Sequence, residues 1–326
     1  MSDNVLPARA VLEECVHAGT MAPSVYNSQP WRFRLRRGQV DVIADPVRRV
    51  HAIDPDGREM HISLGSAVLN VAVMMRAQGF HPAVQLLPDP VEPNLVARVE
   101  VGEARAPELS DLALVAAVPR RRTNRHPFEN RPLHSTTVDM LVAAAGREGA
   151  IFEVLEDTDA HALLALVRTA DHELRSDPVY RAALAHWTDD VPGRRDGVAP
   201  GSFGPLSMRG ALPVRDFGAA RPVVARAVEP YEASPTLAVL STDGDTREDW
   251  LRAGMALERV LLEATIAGVS ASFLTQPLEV TRLRRLYDER WPHTATQMIF
   301  RLGYARSDTP VSPRRSVAEV LMEGVR

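Results

Sequence analysis

Between Ala22 and Trp31 the chain reads Ala-Pro-Ser-Val-Tyr-Asn-Ser-Gln-Pro-Trp. Pro23 and Pro30 both disfavour helix, so a helix before them must end near Gly19. Ser24, Asn27 and Gln29 present a hydroxyl and two amides, which donate and accept in fixed directions without net charge. Such a loop suits a flat polar heterocycle, although an ordinary polar helix-to-strand connection uses the same residue types. Two further clusters are cationic, Arg121-Arg122-Thr123-Asn124-Arg125 and Pro313-Arg314-Arg315. A guanidinium fork pairs two oxygens of a phosphate at once, while a lone Arg run is more often solvated surface.

The totals exclude several chemistries. All 38 basic residues are Arg, which removes a phosphate-binding P-loop lysine, Schiff-base catalysis and a lysine base together. No GxGxxG, HExxH or GxSxG motif is present, and the ten His are scattered, so no metal site is expected. A formal charge of −4 gives no reason to expect nucleic acid. The single cysteine, Cys15, rules out an internal disulfide and suits a reducing compartment; on the apolar face of a helix it reads as a small core hydrophobe. The first ten residues lack a basic and an apolar region of signal-peptide type, and no run of 18 or more apolar residues occurs. A cytoplasmic location without a membrane span is the expectation.

Periodicity places these residues. Residues 7–19 read as a helix, Trp31 to Ala44 as a hairpin turning at Arg37-Gly38, and Ile62 to Ala77 as a strongly apolar helix stopped by Gly79. Strands are expected near 83–87 and 96–101. Further on, helices are predicted over 109–118, 137–145, 160–187 with a break at Asp177-Pro178, and 249–267; strands are predicted over 151–156, 236–241 and 297–302. Residues 191–234 are rich in Gly, Pro and Arg and weakly periodic, which fits either a lid or a solvated insertion.

The order repeats. Gly65-Ser66-Ala67 and Gly254-Met255-Ala256 each open an almost wholly apolar stretch, and Gly79 and Gly268 each follow the first glycine at the same distance. Helices apolar on more than one side belong at the centre of a structure. The pattern predicts two α+β halves, 1–105 and 106–326, packed about a pseudo-two-fold axis like a symmetric dimer fused into one chain. The halves differ at two points. Only the first carries the Pro23–Gln29 loop, replaced in the second by Gly146–Ala150; only the second carries the Arg run, since Met1 to Pro7 contains no Arg.

The APSxxNxQPW stretch resembles the flavin-contacting loop of the nitroreductase family. Over nearly its whole length the chain resembles the single-chain, Acg-like branch found in actinobacteria, most weakly over 190–235. The resemblance implies a duplicated nitroreductase-like α+β fold with central helices and antiparallel sheets. It implies FMN as cofactor, one per chain between the halves. Pro23, Ser24, Val25, Asn27 and Gln29 would supply one side of that site. Arg121, Thr123, Asn124 and Arg125 would supply the other, Arg121 and Arg125 taking the phosphate and Thr123 standing for a more usual Ser. Arg314 and Arg315 would reach the same phosphate. Leu274, Thr275 and Gln276 align with the segment facing flavin N5, but Gln276-Pro277 replaces the family's Glu-Gly, and proline has no N–H to offer. No side chain is required as nucleophile or base, so no catalytic residue is assigned. The expected activity is passage of hydride from NADH or NADPH to a nitroaromatic or quinone-like acceptor, by a protein that can be monomeric. The alternatives are a flavin-sequestering protein with little turnover, a flavin-degrading or otherwise specialised relative, and a remnant that binds no flavin.

Overall fold

The computed structural model describes residues 7–220, 226–289 and 293–322. The first half opens with α1 (Arg9–Thr20), then β1 (Trp31–Arg36) and β2 (Gln39–Ala44), the long helix α2 (Arg58–Ala77), β3 (Phe80–Leu86) and β4 (Leu95–Ala104). The strands form one antiparallel sheet in the order β1-β2-β4-β3. Helix α3 (Leu109–Ala117) bridges to the second half. There α4 (Ser135–Gly146) and β5 (Ile151–Val154) lead into α5 (Asp157–Ser176) and α6 (Pro178–Trp187). The chain then runs through a long irregular stretch with two short bridging strands, β6 (Leu206–Ser207) and β7 (Val228–Glu229). It returns as β8 (Thr236–Thr242), α7 (Arg247–Ile266), β9 (Ser270–Phe273), α8 (Gln276–Glu279), α9 (Thr281–Asp288), β10 (Ala295–Gly303) and α10 (Val317–Val320). The second sheet has the order β5-β8-β10-β9 and is also antiparallel.

Matched element for element, β1, β2, α2, β3 and β4 correspond to β5, β8, α7, β9 and β10, and the two sheets share one connectivity. The α+β class and central helices anticipated from sequence are therefore present. The two-residue turn Arg37-Gly38 corresponds in the second sheet to the whole excursion from 155 to 235. Conversely, ten residues separate α1 from β1, whereas residues 147–150 suffice between α4 and β5.

Helices α2 and α7 cross at the centre, and glycine is what lets them meet. A methyl group placed on Gly65 would lie 2.9 Å from the Leu251 carbonyl carbon and 3.0 Å from Gly254 Cα. One on Gly254 would lie 2.8 Å from the Ile62 carbonyl carbon and 2.9 Å from Gly65 Cα. The contact is reciprocal, as a two-fold requires. Ser66 Oγ donates to Gly254 O at 2.9 Å within it. Arg58 and Arg247, which open the two helices, each donate to a carbonyl of the opposite half, Gln297 O and Pro93 O, both at 2.6 Å. Each sheet covers its own side of this helix pair with an apolar cluster, around Trp31, Phe33 and Val99 on one side and Phe152, Leu240 and Phe300 on the other.

Among the described residues α2 alone is long and apolar enough to cross a membrane, and 83% of its apolar window is buried inside the fold. Cys15 is fully buried beneath the first sheet.

Candidate functional site

A cavity opens where the two halves meet. The first half contributes Pro23, Ser24, Val25, Tyr26 and Asn27 of the loop and Glu59, Ile62 and Ser63 of α2. The second contributes Arg121, Arg122, Thr123 and Arg125, with Phe273 at the end of β9 and Thr275 just after it. The stretch after α6 brings Gly197, Val198, Val214, Arg215 and Phe217, and the C-terminal segment brings Ser312 and Arg314.

The loop is held in a costly conformation. Tyr26, Asn27 and Gln29 all lie in the left-handed region, with φ of 50°, 54° and 50°. Non-glycine residues rarely adopt it, and such strain persists where surrounding contacts over-determine the backbone. Those contacts are present. Gln29 N donates to Ser24 Oγ at 3.0 Å, and Val25 N to Ser63 Oγ at 3.2 Å. The Asn27 amide donates to Gly197 O and Pro313 O, and its oxygen accepts from Arg314 Nη1 at 2.9 Å. Gln29 is fully buried: its amide donates to Arg195 O at 2.7 Å and accepts from Arg315 N at 2.9 Å. Asn27 and Gln29 thus clamp two remote segments, 195–197 and 313–315, onto the loop.

The cations divide into two groups. Arg121, Arg122 and Arg314 crowd one end. Burial, then Arg121 and Arg122, pull the Arg314 guanidinium down to about 9. Arg122 is lowered by burial and by Arg121. Arg121 reaches the buried Glu258, Nε to Oε2 at 3.4 Å, and Glu258 accepts from Asn70 at 2.9 Å. Among the described residues Arg122 and Arg314 have no carboxylate within ion-pair distance, and Arg314 Nε has no hydrogen-bond acceptor. Arg125 is not in this cluster, contrary to its expected partnership with Arg121 on a phosphate. Its guanidinium lies over the Phe217 ring, 4.5 Å from the centroid, and donates to Ser202 O at 3.0 Å. Burial and then Arg215 lower it to about 10.

The 191–234 stretch, of which 221–225 lie outside the described residues, forms a packed cover. Val198, Phe203 and Phe217 join Tyr26, Val50, Tyr180 and Trp187 in one apolar cluster. Tyr26 meets Phe217 edge-on at 5.5 Å. Arg215 pairs with the buried Glu279 and donates to Tyr26 Oη at 2.8 Å and Tyr180 Oη at 3.1 Å. Of the two readings of this stretch, a lid or a solvated insertion, the packing fits the lid, because this much apolar surface leaves water on closing.

Of the residues singled out from sequence, Pro23, Ser24, Val25, Asn27, Arg121, Thr123, Arg125, Thr275 and Arg314 line the cavity. Five do not. Gln29 and Asn124 stand behind the lining, Asn124 N donating to Ala271 O at 2.8 Å and its Oδ1 capping His126 N. Leu274 belongs to an apolar cluster with Ile299 and Leu237. Gln276 is fully buried, its amide donating to Pro213 O at 3.4 Å. Arg315 faces Gln29 O and Glu319 O. Sequence reasoning missed Arg122, Tyr26, Glu59, Ser63, Arg215, Phe217 and Glu279. The first two sat inside motifs already marked; the others had no local signal.

No family model matches the chain. The protein named "Putative NAD(P)H nitroreductase Rv3131" of Mycobacterium tuberculosis is 29% identical over 309 residues, covering 92% of this chain and 88% of its own. That named "Putative NAD(P)H nitroreductase acg", from the same organism, is 29% identical over 318 residues, covering 95% of each. A crystal structure described as a putative nitroreductase in complex with FMN, from Desulfovibrio desulfuricans, superposes with a TM-score of 0.36 at 15% identity, covering 65% of this chain and 96% of that one.

Proposed function

We propose that this chain, which belongs with the Acg-like nitroreductases, binds one FMN in the cavity between its halves and works as an NAD(P)H-dependent oxidoreductase on a nitroaromatic or quinone-like acceptor. The observation that carries the reading is the cation cluster of buried Arg121 with half-buried Arg122 and Arg314. Arg122 and Arg314 are partly desolvated beside Arg121 without carboxylate partners within ion-pair distance among the described residues, which is unfavourable unless an anion joins them. A phosphate dianion offers several acceptors to planar donors. The cavity also suits the rest of such a ligand: Phe217, Phe273 and Tyr26 give aromatic surface, and Ser24 and Thr123 give hydroxyls. Arg122 and Arg314 would hold the phosphate, with Arg121 behind them. Arg125 would sit further along, against the heterocycle. When bound, FMN supplies a two-electron couple that accepts hydride and passes it on. The protein supplies placement, and the strained loop and Arg314 fix each other through Asn27.

Boundaries at 1–105 and 106–326 fit a duplication in which each half retained one part of a shared site. A single site per chain makes a monomer competent, and the lone buried Cys15 suits a reducing cytoplasm.

A second reading is favoured by the packed cover. If residues 191–234 stay closed, nicotinamide has no access and the protein keeps flavin without turning over. Anaerobic mixing of FMN-loaded protein with NADPH or NADH separates the two. Bleaching of the flavin band within seconds supports the reductase; persistent yellow with full bleaching by dithionite supports the keeper. The double variant Arg122→Ala/Arg314→Ala should be purified without flavin, and stoichiometric FMN in it would refute the phosphate assignment.

A further inference from the structure

Two side-chain amides join the cationic end of the cavity to the root of the cover. Asn27 Oδ1 accepts from Arg314 Nη1 at 2.9 Å, while its Nδ2 donates to Gly197 O at 3.0 Å. Gln29 repeats the arrangement: Oε1 accepts from Arg315 N at 2.9 Å, and Nε2 donates to Arg195 O at 2.7 Å. An amide is planar, so holding its oxygen aims its hydrogens. Gly197 N returns a bond to Asn27 O at 3.2 Å, and the next residue, Val198, enters the apolar cluster of the cover. The remaining ties of this root make no use of cavity residues: Asp196 pairs with Arg48, and Arg195 with Glu319.

We infer that Asn27 and Gln29 couple occupation of the Arg122 and Arg314 end by a phosphate group to closure of the cover at 195–197. The inference rests on the reading above for its ligand, a phosphate monoester, and adds that the phosphate rather than the ring shuts the cover. Arg314 is the member of the link that a ligand reaches. It lines the cavity with Arg121 and Arg122, and its Nε has no acceptor. Three guanidiniums repel one another, and an anion among them removes that repulsion and fixes Arg314 against Asn27. The loop between is able to respond, because Asn27 and Gln29 hold left-handed backbone at φ 54° and 50°. Such a conformation lasts only while its contacts hold it at both ends. Coupling is reciprocal, so the closed cover also tightens the grip on the phosphate.

Trypsin cleavage after Arg194 and Arg195, read from fragment masses, reports opening of the root. FMN should slow that cut in the wild type by about tenfold, the size expected of two amide links, whereas riboflavin, which has the ring without the phosphate, should slow it less than about twofold. In flavin-free wild type, inorganic phosphate should slow the cut relative to potassium chloride of equal ionic strength. The variant Asn27→Gly/Gln29→Met keeps a residue suited to the left-handed backbone at 27 but loses both links. It should bind FMN about tenfold more weakly, and FMN should no longer slow its cleavage. Riboflavin protecting as well as FMN would overturn the inference, and so would full protection of the variant by FMN. The riboflavin comparison uses wild-type protein and so stands whatever the variant's stability. Failure of NADPH to bleach the flavin would sink the oxidoreductase reading and leave these rates decisive for the coupling. If FMN does not bind at all, the inorganic phosphate measurement decides, and an unchanged rate there overturns the inference.

Discussion

Replacing Gly65 with Ala should damage the protein as much as the reciprocal change at Gly254, and more than a methyl added elsewhere on these helices. At the α2–α7 crossing the new Cβ would lie 2.9 Å from the Leu251 carbonyl carbon and 3.0 Å from Gly254 Cα, while unstrained carbon contacts need about 3.7 Å. Both neighbours are backbone of a buried helix and cannot rotate away. The Leu251 carbonyl oxygen is nearer still, so the two helices must part by roughly 1 Å or more along their contact. Ser66 Oγ to Gly254 O, at 2.9 Å, would stretch with them. Over-packing of this kind costs about 1–3 kcal/mol, and a backbone-to-backbone clash belongs at the upper end. The better helix propensity of Ala offsets at most about 1 kcal/mol. Urea unfolding should show Gly65→Ala and Gly254→Ala each destabilised by about 2–3 kcal/mol with an unchanged slope. The double variant should lose less than the sum, since helices parted for one methyl already accommodate the other. Gly146→Ala is the control. It lies at the end of α4 with nothing within 4 Å of its would-be Cβ, and it should be neutral or slightly stabilising. Gly65→Ala matching Gly146→Ala would refute the close crossing and the pseudo-two-fold built on it.

Three further outcomes follow from single side chains. Arg215→Ala leaves the buried Glu279 without its partner, a loss of about 3 kcal/mol that falls on the cover; trypsin should then cut after Arg194, Arg195 or Arg226 faster than in wild type, and equal rates would show that the pair does not hold the cover. Burial pushes the Cys15 thiol up to about 12, so Ellman's reagent should find no thiol in the native protein and one after unfolding. His61 bonds Gly57 O through Nδ1 at 2.6 Å and accepts from Arg247 Nε through Nε2 at 3.0 Å. Burial, helped by Arg247 and Arg49, lowers its pKa from 6.5 to about 4. The unfolded chain thus takes up a proton first as pH falls, so this contribution is intact above pH 6.5 and lost on the way down to about 4. By pH 5 the loss amounts to about 2 kcal/mol, and His61→Gln should lose correspondingly less stability between pH 7 and 5 than wild type, as measured by urea unfolding.

Much of the architecture was legible in the chain because it depends on short-range pattern. The hairpin at Arg37-Gly38 announced itself by alternation, and α2 and α7 by apolar residues on more than one side, each with Gly at the crossing and another after its last turn. Their starts were misjudged by a few residues, since Arg58 and Arg247 are polar yet helical, held by contacts to the opposite half. The strained loop was marked by its two prolines, although left-handed Tyr26, Asn27 and Gln29 could not be read from residue type.

What the amino-acid order determined alone was the duplication, the two central helices and the fact that one half carries the amide loop while the other carries the Arg run. Only the tertiary structure decided which guanidiniums share an end of the cavity, that Arg125 turns to Phe217, and that 191–234 folds down as a cover. The reason is range: periodicity and turn chemistry act over a few residues, whereas Arg215 meets Glu279 and Arg314 meets Asn27 across 64 and 287 positions of chain. Pairings so distant follow from burial and charge compensation in three dimensions, and leave no trace in local spacing.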